Sequence, residues 1–308
     1  MGKDTLLSGL IVRSQSGFFY VDTPQGRLVC RLRGKLKKGP VTGDIASVGD
    51  RVEVSLQPDG SGAIEKVAPR TRALARSVPG LKGSYQQVLL ANPDQLLVVF
   101  ACAQPEPHLR MLDRFLVLAE KQRIPALIVA NKLDLLAPGA ASAIFGHYPA
   151  LGYPVIYTSA LTGEGIEALR ECLAGRVSIL AGPSGVGKSS LLNAVQPGLD
   201  QQAGEVNPVT AKGRHTTVVR ELFPLDSGGY LADSPGIRAL ALWDTQPEEL
   251  DGYFPELRDL VKQCQFNDCT HRNEPGCAVL KGVEGGRVHP ERYTSYIRMR
   301  FGEEVDSG

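Results

Sequence analysis

The run Gly182-Pro183-Ser184-Gly185-Val186-Gly187-Lys188-Ser189, followed by Ser190, has the spacing of a loop that grips phosphate. The glycines let backbone N–H groups close around phosphate oxygens. Lys188 is placed to reach the β- and γ-phosphates, where it acts on the reacting group, and the Ser189 hydroxyl is placed to ligate Mg²⁺. VSILA precedes the loop and SLLNAV follows it, so it lies between a strand and a helix whose N-terminus adds partial positive charge. This motif alone does not choose between ATP and GTP.

A second group makes that choice. Asn131-Lys132-Leu133-Asp134 ends the apolar run PALIVA. The Asp134 carboxylate is acceptor-only and can take two parallel hydrogen bonds. Guanine offers two donors side by side, its ring N1–H and its 2-amino group, and adenine offers neither. A site of this kind rejects the wrong base by a factor of ~10⁴. The Lys132 stem is expected to lie along the base, and Asn131 to tie this loop to the phosphate loop. Thr158-Ser159-Ala160 ends the next strand, YPVIY, where a small residue presents a backbone N–H to the guanine 6-oxo group.

Asp233-Ser-Pro-Gly236 follows the short run GYLA. Asp233 is placed to hold Mg²⁺ through water, and the Gly236 N–H to face the γ-phosphate. Residues 201–217 are polar and aperiodic and read as a loop ordered by nucleotide. In it Thr216 or Thr217 supplies the hydroxyl that senses Mg²⁺, with Thr217 preferred. Ile237, after DSPG, cannot orient water as a glutamine would, so intrinsic hydrolysis should be slow. His215 is the candidate that orients or activates the attacking water once a partner orders the loop. Arg214 is the competing candidate, as a charge-stabilising arginine.

Cys264-x₄-Cys269-x-His271-x₅-Cys277 supplies three thiolates and one imidazole within fourteen residues. That set matches a closed tetrahedral structural zinc site with no position open for catalysis. Asn267, Asp268 and Gly276 suit the turns between ligands. His108, His147 and His289 are expected in loops or at the surface, and Cys30, Cys102 and Cys172 lie singly among apolar neighbours.

These motifs need particular elements to hold them. DQLLVVFACA, PALIVANKLD, YPVIYTSA and RVSILAGPSG are apolar runs ending in polar loops, with helical segments LRMLDRFLVLAEKQR and GIEALRECLA between them. Alternating buried strands and amphipathic helices predict a parallel sheet covered on both faces. Ligands then gather at the carboxyl ends of its strands. Before this unit, residues 5 to about 70 read as five or so short strands with turns between, most consistent with an OB-fold barrel. After it, a cysteine- and proline-containing segment leads to YTSYIRMRFGEE, a candidate terminal helix. The expected architecture is therefore an OB-fold β-barrel over 1–72, a central α/β GTP-binding domain over 73–245 and a small helical zinc-binding domain over 246–308.

The 308 residues carry a formal charge of +1, which excludes a polybasic chain as a whole. The first forty residues are an exception, with eight Lys or Arg against two acids. Arg27, Arg31, Arg33, Lys35, Lys37 and Lys38 cluster on one predicted hairpin, a candidate phosphate-contacting surface for RNA or else a solvated face. No stretch approaches the roughly 18–20 apolar residues of a membrane helix, and no signal peptide is recognisable. A soluble cytoplasmic monomer with no membrane partner is expected.

The motif order is unusual. Regulatory GTPases usually run phosphate loop, threonine switch, DxxG, NKxD, SA; here NKLD and TSA come first. A sheet can be cut at one loop and rejoined at another without moving its strand ends. The segment after DSPG then leads directly into the cysteine module, giving hydrolysis a short covalent path to it.

The barrel, NKLD, TSA, GPSGVGKSS, GRHTT, DSPG and the cysteine module, in that order over nearly the whole chain, resemble the circularly permuted ribosome-assembly GTPases known as RsgA, YjeQ or YloQ. The resemblance implies GTP and GDP, Mg²⁺ and one structural Zn²⁺ as ligands. It also implies slow hydrolysis stimulated by the small ribosomal subunit and its rRNA, and a role in late maturation of that subunit beside other assembly factors. By motif match His215 corresponds to the family's proposed catalytic histidine. Val218 stands where a third threonine is common, which leaves Thr216 and Thr217 both open. Competing classes are a signalling GTPase with protein partners only, a zinc-dependent nucleic-acid module with a vestigial GTPase core, and a metabolic kinase; NKLD and DSPG disfavour the last.

Overall fold

The computed structural model describes residues 6–37, 43–77, 86–199, 221–233 and 245–302. Five strands, β1 (Leu7–Gln15), β2 (Phe18–Thr23), β3 (Gly26–Leu32), β4 (Arg51–Leu56) and β5 (Gly62–Val67), close into a barrel in the order β1-β2-β3-β5-β4. β3 and β5 run parallel and the other pairs antiparallel, the connectivity of an OB-fold. Alternation points Ile11, Val21, Cys30, Val54 and Ile64 inward, where each is fully buried.

A hairpin not foreseen from the sequence comes next: β6 (Ala73–Ser77) pairs with β7 (Gln86–Ala91). It straps the chain beyond the barrel back onto it. The Ala91 N–H donates to the Val48 carbonyl at 2.8 Å, and the Val88 N–H to the Asp44 carboxylate at 2.9 Å.

The central unit is a six-stranded sheet. Its strands are β8 (Gln95–Ala101), β9 (Ala126–Asn131), β10 (Val155–Tyr157), β11 (Val177–Ala181), β12 (Phe223–Pro224) and β13 (Tyr230–Asp233), in the order β10-β9-β8-β11-β13-β12. All neighbours are parallel except β12 and β13. Every residue of β8 is buried, as befits a central strand covered on both faces. Leu96, Val98 and Phe100 enter one core with α1 (Leu109–Gln122) and α2 (Ala140–Phe145). Leu97, Val99 and Ala101 enter the opposite core with α3 (Ile166–Leu173) and α4 (Lys188–Val195). Each such Leu, Val or Phe contributes about 1.5–3 kcal/mol on burial, so the two cores dominate the fold's stability.

The chain runs outward from β8 through β9 to β10, then returns to the centre at β11. The order therefore switches between β8 and β11, and a crevice opens above their carboxyl ends. This is the permuted arrangement expected from the motif order.

The third unit holds α5 (Arg258–Val261), α6 (Ala278–Glu284) and α7 (Pro290–Phe301). Its core, with Leu250, Phe254, Leu257, Val279 and Tyr296, takes in Val117 of α1. It is locked to the central unit by a buried cation. Arg292 of α7 donates to Asp113 of α1 at 2.6 Å and to Glu256 at 2.7 and 3.2 Å, and its guanidinium lies 4.5 Å from the Phe254 ring.

His147 and His289 lie in loops, as expected, and meet at this junction. Their rings stack at 4.1 Å and 7°, and His147 Nε2 and His289 Nδ1 are buried without hydrogen-bond partners among the described residues. Burial, then the His289 and Arg292 charges, push the His147 imidazole down to about 4; the Glu256 carboxylate acts the other way. Such a group adds stability above its ordinary 6.5, and that stability is lost as pH falls toward 4. Lowering pH from 7.5 to 5 should therefore reduce the melting temperature more in the unaltered protein than in His147→Gln. The ring is only half-buried, so the gap should be about 2–4 °C, corresponding to ~1 kcal/mol. Equal losses in both proteins would show that the stacked pair is not the sensor.

Candidate functional site

Each nucleotide motif lies at a carboxyl strand end. Asn131 is the last residue of β9 and pairs in register with Ala101 of β8. Gly182 follows β11, Thr158 follows β10, and Asp233 ends β13 beside Leu180 of β11.

Asn131 is the node that joins them. Its Nδ2 donates to the Val186 carbonyl at 2.9 Å, inside the phosphate loop. Its Oδ1 accepts from the Thr158 hydroxyl at 3.2 Å and the Ala160 N–H at 3.3 Å. The side chain is 1% exposed, so these bonds act away from water. One amide thus spans all three loops; its tie to the phosphate loop is the one expected, and its tie to the TSA loop had no signal in the sequence.

Lys132 takes a left-handed conformation, φ 63°, which starts the short turn Leu133–Leu135 that presents Asp134. Asp134 is exposed, and the fully buried Ser159 hydroxyl donates to its Oδ1. The Thr162 N–H in turn donates to Ser159 Oγ at 3.1 Å. Ser159 therefore orients the carboxylate, a role for which the sequence offered no signal. The Cys102 thiol beneath is pushed up to about 11 by burial and by the Asp134 charge, so it stays neutral.

The phosphate loop requires its glycines. Gly187 sits at φ +91°, and a Cβ there would come 2.5 Å from Asn131 Nδ2. Gly182, at φ +150°, would place one 2.2 Å from the Val99 carbonyl. Pro183, Ser184 and Gly185 form the bend, Ser189 and Ser190 are exposed in the first turn of α4, and Val186 is buried. Lys188 Nζ donates to the carbonyls of Gly182 at 3.0 Å and Pro183 at 2.6 Å, folding over the loop it closes. Arg214, His215, Thr216, Thr217 and Gly236 lie outside the described residues, as does the Asp233 side chain.

Cys264, Cys269, His271 and Cys277 converge, with all four ligand atoms within 4.8 Å of one another. A zinc ion at ordinary bond lengths places sulfurs about 3.8 Å apart and sulfur and nitrogen about 3.6 Å apart. Cys264 Sγ and Cys277 Sγ are 4.0 Å apart, and each is 3.5 Å from His271 Nδ1. The donor set therefore fits a tetrahedral ion. His271 Nε2 is buried without a hydrogen-bond partner among the described residues and faces the Asp251 carboxylate at 3.7 Å, the group that fixes a ligating imidazole from behind. Glu274 holds the ligand loop by accepting from the N–H groups of Thr270, Arg272 and Asn273.

On the barrel, the basic hairpin is partly compensated. Arg27 pairs with Asp22 at 2.6 Å, and Glu65 takes Arg33 at 2.7 Å and Lys35 at 2.8 Å. Lys35, Arg33 and the Ser55 hydroxyl hold the Glu65 carboxyl down at about 2. Arg31 instead stacks over Phe18 at 4.3 Å, beside a cleft of about 740 Å³ lined also by Val29, Gln57 and Asp59. The side chain of Lys37, and Lys38 altogether, lie outside the described residues.

A phosphate loop and a guanine-reading loop, carried by a parallel sheet whose guanine motifs come first, define a circularly permuted GTPase. The RsgA N-terminal domain model matches residues 8–64, and the RsgA GTPase model matches residues 67–243. The chain belongs to the RsgA GTPase family and is a GTP hydrolase. It is 48% identical over 300 residues to the small ribosomal subunit biogenesis GTPase RsgA of Gemmatimonas aurantiaca, covering 96% of this chain and 97% of that one. The protein of the same name from Moorella thermoacetica is 42% identical over 94% of this chain and 95% of its own. The crystal structure of YjeQ from Thermotoga maritima superposes with a TM-score of 0.78 at 38% identity, over 97% of this chain and 98% of that one. That of YloQ, described as a circularly permuted GTPase, does so at 0.75 and 28%, over 97% and 95%.

Proposed function

We propose that this GTPase acts on the small ribosomal subunit during its late maturation and uses GTP hydrolysis to time its own release. The Asn131 node carries the reading, because it makes guanine recognition and phosphate binding one rigid unit. The names of relatives that match end to end supply the partner.

In this reading Asp134 takes the guanine N1–H and 2-amino group, Lys132 lies along the base, and the Ala160 N–H meets the 6-oxo oxygen with Ser159 as orienter. Backbone N–H groups of 182–190 hold the phosphates, and Lys188 neutralises charge developing on the β- and γ-oxygens. Mg²⁺, when bound, offsets the same charge. Ser189, Thr217 or Thr216, and Asp233 through water would hold it. His215 orients the attacking water, or Arg214 stabilises the transferring phosphoryl group, and the Gly236 N–H senses it. The barrel (1–72) and the C-terminal module (246–308) flank the GTPase unit (73–245) as two RNA-contacting arms, with the Phe18–Arg31 stack a platform for an unpaired base. The gap between the end of β5 at Val67 and the start of β6 at Ala73 supports the first boundary. Other assembly factors share the particle, and the protein works as a cytoplasmic monomer. Among the described residues, no helix is long and apolar enough to cross a membrane.

The four-ligand cluster holds one structural zinc ion. Metal analysis should find one equivalent per chain. Its removal by a chelator should expose 258–301 to protease while leaving GTP binding intact, because the nucleotide loops belong to separate cores. Protection that survives complete zinc removal would contradict a structural role for the metal.

Co-sedimentation tests the partner. The protein should pellet with purified small subunits in a nonhydrolysable GTP analogue and leave them in GDP. Equal recovery in both nucleotides would contradict the release role.

A further inference from the structure

The outer edge of the six-stranded sheet is covered by the barrel. Glu221, just before β12, bridges Arg13 of β1, and the Leu222 N–H donates to the Val12 carbonyl at 2.7 Å. A bulge in β1 allows this: its pairing with β2 steps from Ile11↔Val21 to Arg13↔Tyr20 and leaves Val12 unpaired in that ladder. Leu222 packs into the core that contains the barrel residues, and Phe223 into the opposite one.

Two polar contacts flank this seam. Glu221 is 14% exposed and faces Arg13 at 3.6 Å. Its Oε2 is buried with no hydrogen-bond partner among the described residues, and the Arg27 charge acts on the same region. The Tyr230 hydroxyl, at the start of β13, donates to Asp22 Oδ2 at 3.0 Å, and Arg27 holds that same carboxylate in a fork of 2.6 and 3.1 Å. The barrel thus grips both outer strands, and β13 runs from the gripped Tyr230 to Asp233. Blunting a sheet edge needs only a lysine or a proline. A buried carboxylate whose counter-charges lie on another unit costs desolvation and makes its energy depend on where that unit sits.

We propose that Glu221 and Tyr230 are positioning residues for subunit-stimulated GTP hydrolysis alone, carrying displacement of the barrel onto β12 and β13 and so to the aspartate that ends β13. The inference rests on the reading that the barrel docks ribosomal RNA. The same seam is taken to couple barrel position to nucleotide binding, and coupling between binding equilibria is reciprocal, so exchanging GDP for GTP must also change the barrel seam.

The test uses the full chain with Glu221→Gln, Tyr230→Phe and both together, near-isosteric changes whose folding is checked by thermal unfolding. In the double variant, hydrolysis stimulated by purified small subunits should fall about tenfold. Basal hydrolysis and co-sedimentation with the subunits should stay within about twofold of the unaltered protein. Hydrogen exchange gives a readout without subunits. Replacing GDP by a nonhydrolysable GTP analogue should change exchange of the Leu222 amide and of residues 10–15 in the unaltered protein, and of Leu222 alone in the double variant. Full stimulation of the double variant overturns the proposal. So does loss of stimulation in step with loss of subunit binding, or a barrel seam indifferent to nucleotide. If subunits fail to stimulate the unaltered protein, the ribosomal reading falls, and the exchange measurement still decides the coupling.

Discussion

Asp134→Asn is expected to abolish discrimination for guanine while leaving the fold intact. The carboxylate takes two donors from the base, and an asparagine has one acceptor and one donor. Its amide N–H groups then oppose the guanine 2-amino group, so GTP affinity should fall by a factor of ~10⁴, the scale set by leaving such groups unpaired. The Ser159 hydroxyl still has an oxygen to donate to, so the loop keeps its shape. Asp134 is exposed, and stability should move by no more than about 0.5 kcal/mol. The diagnostic gain is xanthosine triphosphate, whose 2-oxo oxygen accepts from the new amide. Titration with the two nucleotides reads the outcome. GTP binding that persists, with no gain for the xanthine nucleotide, would place the base elsewhere.

Arg292→Ala should strongly destabilise the C-terminal half. Arg292 and Asp113 are each 1% exposed, and Glu256 is 3% exposed at its side chain. Removing the cation strands two buried carboxylates. Burial already raises the Asp113 carboxyl, with the Arg292 charge acting against that rise. The loss should be about 3–5 kcal/mol. Lysine should rescue it poorly, because a point charge cannot serve two carboxylates as a planar fork does. Replacing Arg292, Asp113 and Glu256 together by Met, Leu and Leu should recover most of the loss, since it is the unpaired charge that costs. Thermal unfolding of the three proteins separates these cases. An alanine variant as stable as the unaltered protein would mean that water reaches the site.

The nucleotide loops were legible because each is local. A phosphate loop is nine consecutive residues between a strand and a helix, and NKLD and TSA each end an apolar run. The alternation Leu96/Val98/Phe100 against Leu97/Val99/Ala101 announced a strand buried on both faces. The zinc ligands lie within fourteen residues and converge as their spacing implied. What stayed hidden depends on partners far apart in the chain. Arg292 meets Asp113 across 179 positions and Tyr230 meets Asp22 across 208, and no periodicity links them. Asp251 stands behind His271 only because the C-terminal module folds back on itself. The hold of the Ser159 hydroxyl on Asp134 shows only once the turn that carries Asp134 brings the two together. The pairing of two basic-hairpin cations with Glu65 was hidden as well, because Glu65 lies some thirty residues away in sequence. β12 is two residues long and exists because β13 and the barrel pair with its neighbourhood.

The central claim is that this GTPase is switched by the small ribosomal subunit. The direct measurement is GTP hydrolysis by the purified protein alone, with purified small subunits, and with large subunits as control. The account predicts slow turnover alone, strong stimulation by small subunits and none by large ones. A measurable basal rate that small subunits leave unchanged would contradict the ribosomal role, while the guanine site would stand.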